Sequence, residues 1–235
     1  MHLQKILNEF NIIMMKTKVF AAAVFMAAAV NAGAQDYMRD WAQFGRYAQE
    51  NEKITSSPYA VFMGDSITDG WDDNDPSFFP DNGFVCRGIS GQTTSEMLVR
   101  FRQDVIDLHP KYVVILAGTN DVAQNNGFIT LEDVMDNLVS MCELAKLHKI
   151  KPVLCSVTPA SSFGWRPEIK DAAGKIEKLN GMIREYAESR HILYIDYHSA
   201  LKNDKGGMLE EYSSDGVHPN KDCYKIMERI VLEAL

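Results

Sequence analysis

Five short apolar runs recur along the chain: "YAVFM" at 59–63, "GFVCR" at 83–87, "KYVVILAG" at 111–118, "KPVLCSV" at 151–157 and "HILYIDY" at 191–197. Each is too short for a core helix, and most are rich in the β-branched or aromatic residues that suit a pleated, buried surface. Between and around them lie stretches with apolar residues spaced at three and four. These are "TTSEMLVRFRQDVIDLH" at 93–109, "TLEDVMDNLVSMCELAKLHK" at 130–149, "AAGKIEKLNGMIREYAESR" at 172–190 and "KDCYKIMERIVLEAL" at 221–235. Thr130 and Asp133 form a capping-box pattern at the start of the second. An amphipathic helix is also expected over "DYMRDWAQFGRYAQENEK", 36–53. This alternation confines the chain to an α/β fold with a mainly parallel five-stranded sheet covered on both faces.

In such sheets the ligand site lies beyond the carboxyl ends of the strands. The first run ends at Gly64-Asp65-Ser66, the second runs into "RGISGQT" and the third into "AGTND". Three polar, glycine-bearing segments therefore converge on one edge.

The N-terminus reads differently. "MMKTKVFAAAVFMAAAVNAGAQD" carries lysines, a short Ala/Val/Phe core and the small-residue end Ala32-Gly33-Ala34, the pattern of a secretory signal peptide with cleavage expected after Ala34. The apolar stretch from Val19 to Val30 falls short of the roughly 20 helical residues that span a bilayer. Residues 1–34 are therefore expected to be leader, and residues 35–235 a single domain in a secreted or periplasmic protein. The whole chain carries a formal charge of −8. So acidic a surface repels nucleic acid and anionic membrane, and neither is an expected partner. Cys86, Cys142, Cys155 and Cys223 show no C-x-x-C spacing, which argues against zinc or a redox motif. "DDNDP" at 72–76 lacks the glycine and distal glutamate of a calcium loop and is expected to be a solvated acidic loop. No metal or cofactor is expected.

Ser66 at the end of a buried strand is either a helix cap or a nucleophile held at the rim. A nucleophilic serine needs a base, and His218 in "DGVHPN" has Asp215 three residues before it, near enough for the carboxylate to orient the imidazole. The same residues read equally well as a surface-loop histidine with Asp215 capping the next turn. Negative charge developing on an attacked carbonyl needs donors, for which the Ser66 and Gly91 amides and the Asn120 side chain are candidates. Taken singly, Gly91 reads as a turn glycine and Asn120 as a helix cap. The residue two after Ser66 is Thr68, so this is not the G-x-S-x-G elbow of α/β-hydrolases.

Taken in order, "GDSIT", "GISGQT", "GTND" and "DGVHP" resemble the four blocks of the GDSL esterase/lipase group, or SGNH hydrolases, and the resemblance covers nearly all of residues 35–235. It implies a flavodoxin-like three-layer α/β/α sandwich, Ser66 as nucleophile, Gly91 and Asn120 as oxyanion donors, and Asp215 and His218 completing the triad. The block around Gly91 often begins with an asparagine in that family, where Cys86 or Arg87 stands here. The departure bears on substrate rather than on mechanism.

Trp71, and Trp165 with Arg166, follow strand ends and are candidates for lining a substrate cleft. They fit equally a cover over the sheet edge. Asp65 either tunes the site or caps the turn after the strand. No long apolar lid for an acyl tail stands between Asn120 and Asp215. A shallow acyl pocket and a large polar alcohol follow, which favours short, acetyl-like esters on carbohydrate. A lysophospholipase or thioesterase is the alternative within the family. Outside it, the alternative is a catalytically silent glycan-binding module.

Overall fold

The computed structural model describes residues 40–235, together with Met14, so the expected leader and its cleavage point lie outside the described residues. The unit Ala42–Leu235 carries every element described below. Its sheet consists of β1 Ala60–Gly64, β2 Phe84–Gly88, β3 Tyr112–Leu116, β4 Lys151–Cys155 and β5 Leu193–Ile195. The strands are all parallel, in the order β2-β1-β3-β4-β5. Five main helices accompany them: α1 Ser66–Asn74, α2 Thr94–Asp104, α3 Leu131–Leu147, α4 Ala172–Ser189 and α5 Lys221–Ala234.

Period-two alternation along each strand sends its side chains to two cores. Val61 and Met63 of β1, with Val113 and Ile115 of β3, pack against Met97 and Phe101 of α2, Leu138 of α3 and Leu179 of α4. Ala60 and Phe62, with Val114 and Leu116, face Ile67 and Trp71 of α1, Phe78, Phe79, and Tyr224 and Met227 of α5. The result is the expected three-layer α/β/α sandwich. Each fully buried aliphatic or aromatic side chain contributes about 1.5–3 kcal/mol relative to exposure. The helix starts follow their caps: Thr130 and Asp133 form the expected capping box on α3, and Asn220 accepts from the Cys223 amide at the start of α5.

Two local expectations fail. The part of the expected helix 36–53 that lies in this unit is mostly turns, and only Ala48–Asn51 is helical. Gln43 takes φ 57°, and the carbonyls of Ala42 and Phe44 accept from the side chains of Gln92 (2.9 Å) and Gln103 (2.6 Å) rather than from their own helix. Partners from elsewhere in the fold override the local periodicity. The acidic stretch beginning at Asp72 is not wholly loop, since Asp72, Asp73 and Asn74 close α1 before Pro76 stops it.

Parallel register brings the site segments together. Gly64 lies opposite both Gly88 and Leu116, so the residues after β1, β2 and β3 leave the sheet side by side. Gly88 is required there: a Cβ on it would come within 2.1 Å of the Asp69 backbone nitrogen, so only glycine lets α1 start this close to β2.

Candidate active site

Ser66 is the first residue of α1, and Asp65 is its N-cap, accepting from the Ile67 amide at 2.9 Å. The cap is therefore Asp65 rather than Ser66, and Ser66 stands at a helix N-terminus whose dipole favours negative charge. Asp65 itself is sealed from water, and burial pushes its carboxyl from 3.8 up to about 7, against the opposing pull of the Ile67 amide and His218. Ser66 is partly exposed.

His218 sits two residues before the Asn220 cap, with its neighbours Val217 and Pro219 buried. Its Nε2 lies 2.9 Å from Ser66 Oγ, and its Nδ1 lies 2.6 Å from Asp215 Oδ2. The other carboxylate oxygen, Oδ1, accepts from the amides of Val217 (2.9 Å) and His218 (2.8 Å) and from Ser213 Oγ (3.0 Å). Burial alone would raise the Asp215 pKa, but the His218 ring and these donors outweigh it and hold the carboxyl well below its usual range. An ionised carboxylate can only accept, so Nδ1 keeps the proton and Nε2 is free to take one from Ser66. Asp215 thus both caps the turn and orients the ring. Nothing in the sequence singles out Ser213, whose hydroxyl also accepts from the Gly216 amide.

In the segment after β2, Gly91 has φ 82°, the left-handed region that glycine enters freely, and a Cβ there would meet open space. Asn120 lies in a short helix, Thr119–Val122, after β3. Its Nδ2 donates to the Gln92 carbonyl at 3.1 Å, leaving that amide's second proton uncommitted to this bond. Asp121 accepts from the Thr94 amide (3.0 Å) and hydroxyl (2.6 Å), and burial pushes its carboxyl up to about 6 despite these bonds. Arg100, also sealed from water, donates to the carbonyls of Gly64 (3.1 Å) and Arg87 (2.9 Å), to Gln92 Oε1 (2.6 Å) and to Asp104 (3.0 Å). It fastens the ends of β1 and β2 to the segment bearing Gly91. In the sequence it is one polar position on an amphipathic helix.

The cleft candidates separate. Trp71 does not line a cleft: it is buried in the aromatic core, stacked on Phe78 at 5.1 Å, with its indole N–H donated to Glu228. The 3.6-residue period of α1 turns it toward the sheet. Asp65 is likewise buried at its cap. Arg166 is committed to the Gln124 carbonyl (2.9 Å) and to Glu168 (2.9 Å). Trp165 is the one that stands at the site, 42% exposed, with its ring 6.0 Å from that of His218.

The arrangement can pass a proton from a serine hydroxyl to an imidazole backed by a carboxylate, beside backbone and side-chain amides. No metal-holding group of histidine, cysteine, aspartate or glutamate occurs among the described residues. The four cysteines are unpaired, and Cys142, Cys155 and Cys223 are buried.

The model of the GDSL-like Lipase/Acylhydrolase family matches residues 62–226. A GDSL-like lipase from Bacteroides thetaiotaomicron VPI-5482 superposes with a TM-score of 0.80 at 45% identity, over 83% of this chain and 98% of that one. An uncharacterized lipoprotein of Bacillus subtilis (strain 168) is 40% identical over 75 residues, so that this chain spans 31% of its length. The acetylxylan esterase of Geobacillus stearothermophilus is 23% identical over 78% of this chain and 96% of that protein.

Proposed function

The chain belongs to the GDSL-like lipase/acylhydrolase family and so carries the domain of a carboxylic ester hydrolase; from that premise we propose that it cleaves short-chain, acetyl-like esters on carbohydrate through an acyl-enzyme on Ser66. The observation that carries the reading is the continuous chain from Ser66 Oγ through His218 to Asp215, at 2.9 and 2.6 Å.

Ser66 Oγ attacks the ester carbonyl while His218 Nε2 takes its proton, and Asp215 stabilises the imidazolium that forms. The oxyanion is held by the amides of Ser66 and Gly91 and by Asn120 Nδ2. His218 then protonates the departing alcohol. Water, deprotonated by the same ring, cleaves the acyl-enzyme and restores Ser66. No metal or cofactor enters any step.

Two observations favour a sugar alcohol. The exposed indole of Trp165 stands beside His218, where the alcohol leaves, and an apolar ring face suits a pyranose. The likeness to an acetylxylan esterase points the same way. The leader-like N-terminus supports release to the cell exterior, and no helix among the described residues is long and apolar enough to cross a membrane.

A fluorophosphonate probe should label the wild type and not Ser66→Ala. A wild type that stays unlabelled would instead make this a glycan-binding module. Across a nitrophenyl ester series, acetate or propionate should be best. A long acyl tail gains about 0.8 kcal/mol per buried CH2, so a maximum at octanoate or beyond would replace the acetylesterase reading with a lysophospholipase or thioesterase.

A further inference from the structure

Asn125 follows the Asn120 helix, in the loop where Gln124 takes φ 55°. Its backbone amide donates to the Asn120 carbonyl at 3.0 Å, and its side-chain Nδ2 donates to Asn120 Oδ1 at 2.7 Å and reaches the Gly91 carbonyl at 3.5 Å. Its Oδ1 accepts from Trp165 Nε1 at 2.9 Å. Trp165 belongs to the segment between β4 and α4, which is also tied down by Arg166 on the Gln124 carbonyl.

The direction of this chain is forced from both ends. The Gln92 carbonyl that meets Asn120 can only accept, and the indole N–H of Trp165 can only donate. Between them, two amides have a single arrangement in which every contact pairs a donor with an acceptor. Asn125 turns its oxygen to Trp165 and its NH2 to Asn120, and Asn120 turns its oxygen to Asn125 and its NH2 to Gln92. In that arrangement Asn120 Nδ2 keeps a second proton that the Gln92 bond does not use. A flipped Asn120 would present a carbonyl oxygen to a developing oxyanion.

We propose that Asn125, backed by Trp165, is a positioning residue that fixes the orientation of the Asn120 amide and so keeps the oxyanion site supplied with a donor. The inference rests on the oxyanion role given to Asn120 above. It also gives Trp165 a second task, because a ring that flanks the leaving alcohol is coupled to the donor that serves the carbonyl.

The decisive variant is Asn125→Asp, which keeps size and shape but replaces the donor facing Asn120 by an acceptor. Loss of one oxyanion donor costs about 10²–10³ in kcat. Asn125→Asp should approach the lower figure, near 10²-fold, with KM within about threefold, because the donor serves the transition state. Asn125→Ala, which removes the constraint without reversing it, should cost about tenfold. On an Asn120→Ala background either change should cost less than about twofold, since nothing remains to orient. Wild-type kcat in Asn125→Asp overturns the proposal, as does an equal loss on both backgrounds, which a merely structural residue would give. Should Asn125→Asp not fold, Trp165→Phe reads the same relay: a lower kcat at unchanged KM only where Asn120 is present supports it, and equal losses overturn it. A wild type that hydrolyses no ester and takes no fluorophosphonate sinks the hydrolase reading and this inference together. An active wild type with an indifferent Asn125→Asp sinks this inference alone.

Discussion

The polar groups that fasten the segments after β1, β2 and β3 are sealed from water, whereas the histidine that meets Ser66 and its carboxylate partner stand on a loop that water reaches. Asp65, Gln92, Arg100, Asn120 and Asp121 are all at most 3% exposed; Asp65 caps its own turn, but Gln92 reaches Ala42, Arg100 reaches Gly64, Asn120 reaches Gln92 and Asp121 reaches Thr94, all distant in sequence. The side chains of His218 and Asp215 are 42% and 49% exposed, and the partners that hold the carboxylate, Ser213, Val217 and His218, lie within three residues of it. A buried polar group without a partner costs about 1–3 kcal/mol, so each gap on the sealed side takes a large share of the fold's stability. The loop side needs only local geometry. Changes on the sealed side should therefore appear in stability, and at Asn120 in activity as well, whereas changes on the loop side should appear in activity alone.

The largest expected effect joins the two sides. Ser66→Ala and His218→Ala should each lower kcat by about 10⁴–10⁶, and the double variant hardly more, because the pair acts as a unit. Additive losses in steady-state kinetics would break that link.

Arg100→Ala tests the sealed side. It leaves Asp104 with Asn51 but without its charged partner and frees the Gly64 and Arg87 carbonyls, and should lower unfolding stability by about 3–5 kcal/mol in urea titrations. A loss below about 1 kcal/mol would mean that the sealed side is not held as described.

The two sides should also respond oppositely to pH. Asp65 and Asp121 bind protons more tightly folded than unfolded, with carboxyls at about 7 and about 6 against an ordinary 3.8. As pH rises from about 4 to 7 the unfolded chain has already released protons that the native chain retains. Stability therefore falls from about pH 4 to 7 on account of Asp65 and from about pH 4 to 6 on account of Asp121, by up to about 1.4 kcal/mol per pH unit for each group within its window. Asp215 is shifted downward, so its contribution is present above its ordinary pKa and is lost as pH falls below it. Urea midpoints at pH 5 and 8 should show the decline, and Asp65→Asn should flatten it. An identical slope in Asp65→Asn would remove Asp65 as its source.

The smallest effect belongs to Ser213→Ala, which removes one of four hydrogen bonds to Asp215. Because that carboxylate is half exposed, stability should change by less than about 1 kcal/mol and kcat by a few-fold. A loss as large as that of His218→Ala would make Ser213 part of the proton path.

Short β-branched runs alternating with amphipathic stretches were enough for the sheet, its parallel sense and the edge where the polar segments meet, because side-chain period and strand length are local properties. Ser66, Gly91, Asn120, Asp215 and His218 were legible for a related reason: each stands in a short polar block just beyond an apolar run or before a helix. The departures are non-local. Trp71 stood in the right block but on the face of α1 that packs into the core, and the carbonyls of Ala42 and Phe44 accept from glutamines of another segment instead of closing helical turns. Arg100 reads as a surface position on α2 until β1 and β2 converge above it. Asn125 carries no signal at all, since its role depends on Trp165 arriving from forty residues away. What the sequence determined by itself was which groups could do chemistry. Tertiary structure alone decided which way their donors point, because the direction of a hydrogen bond depends on both partners and the chain brings them together only when it folds.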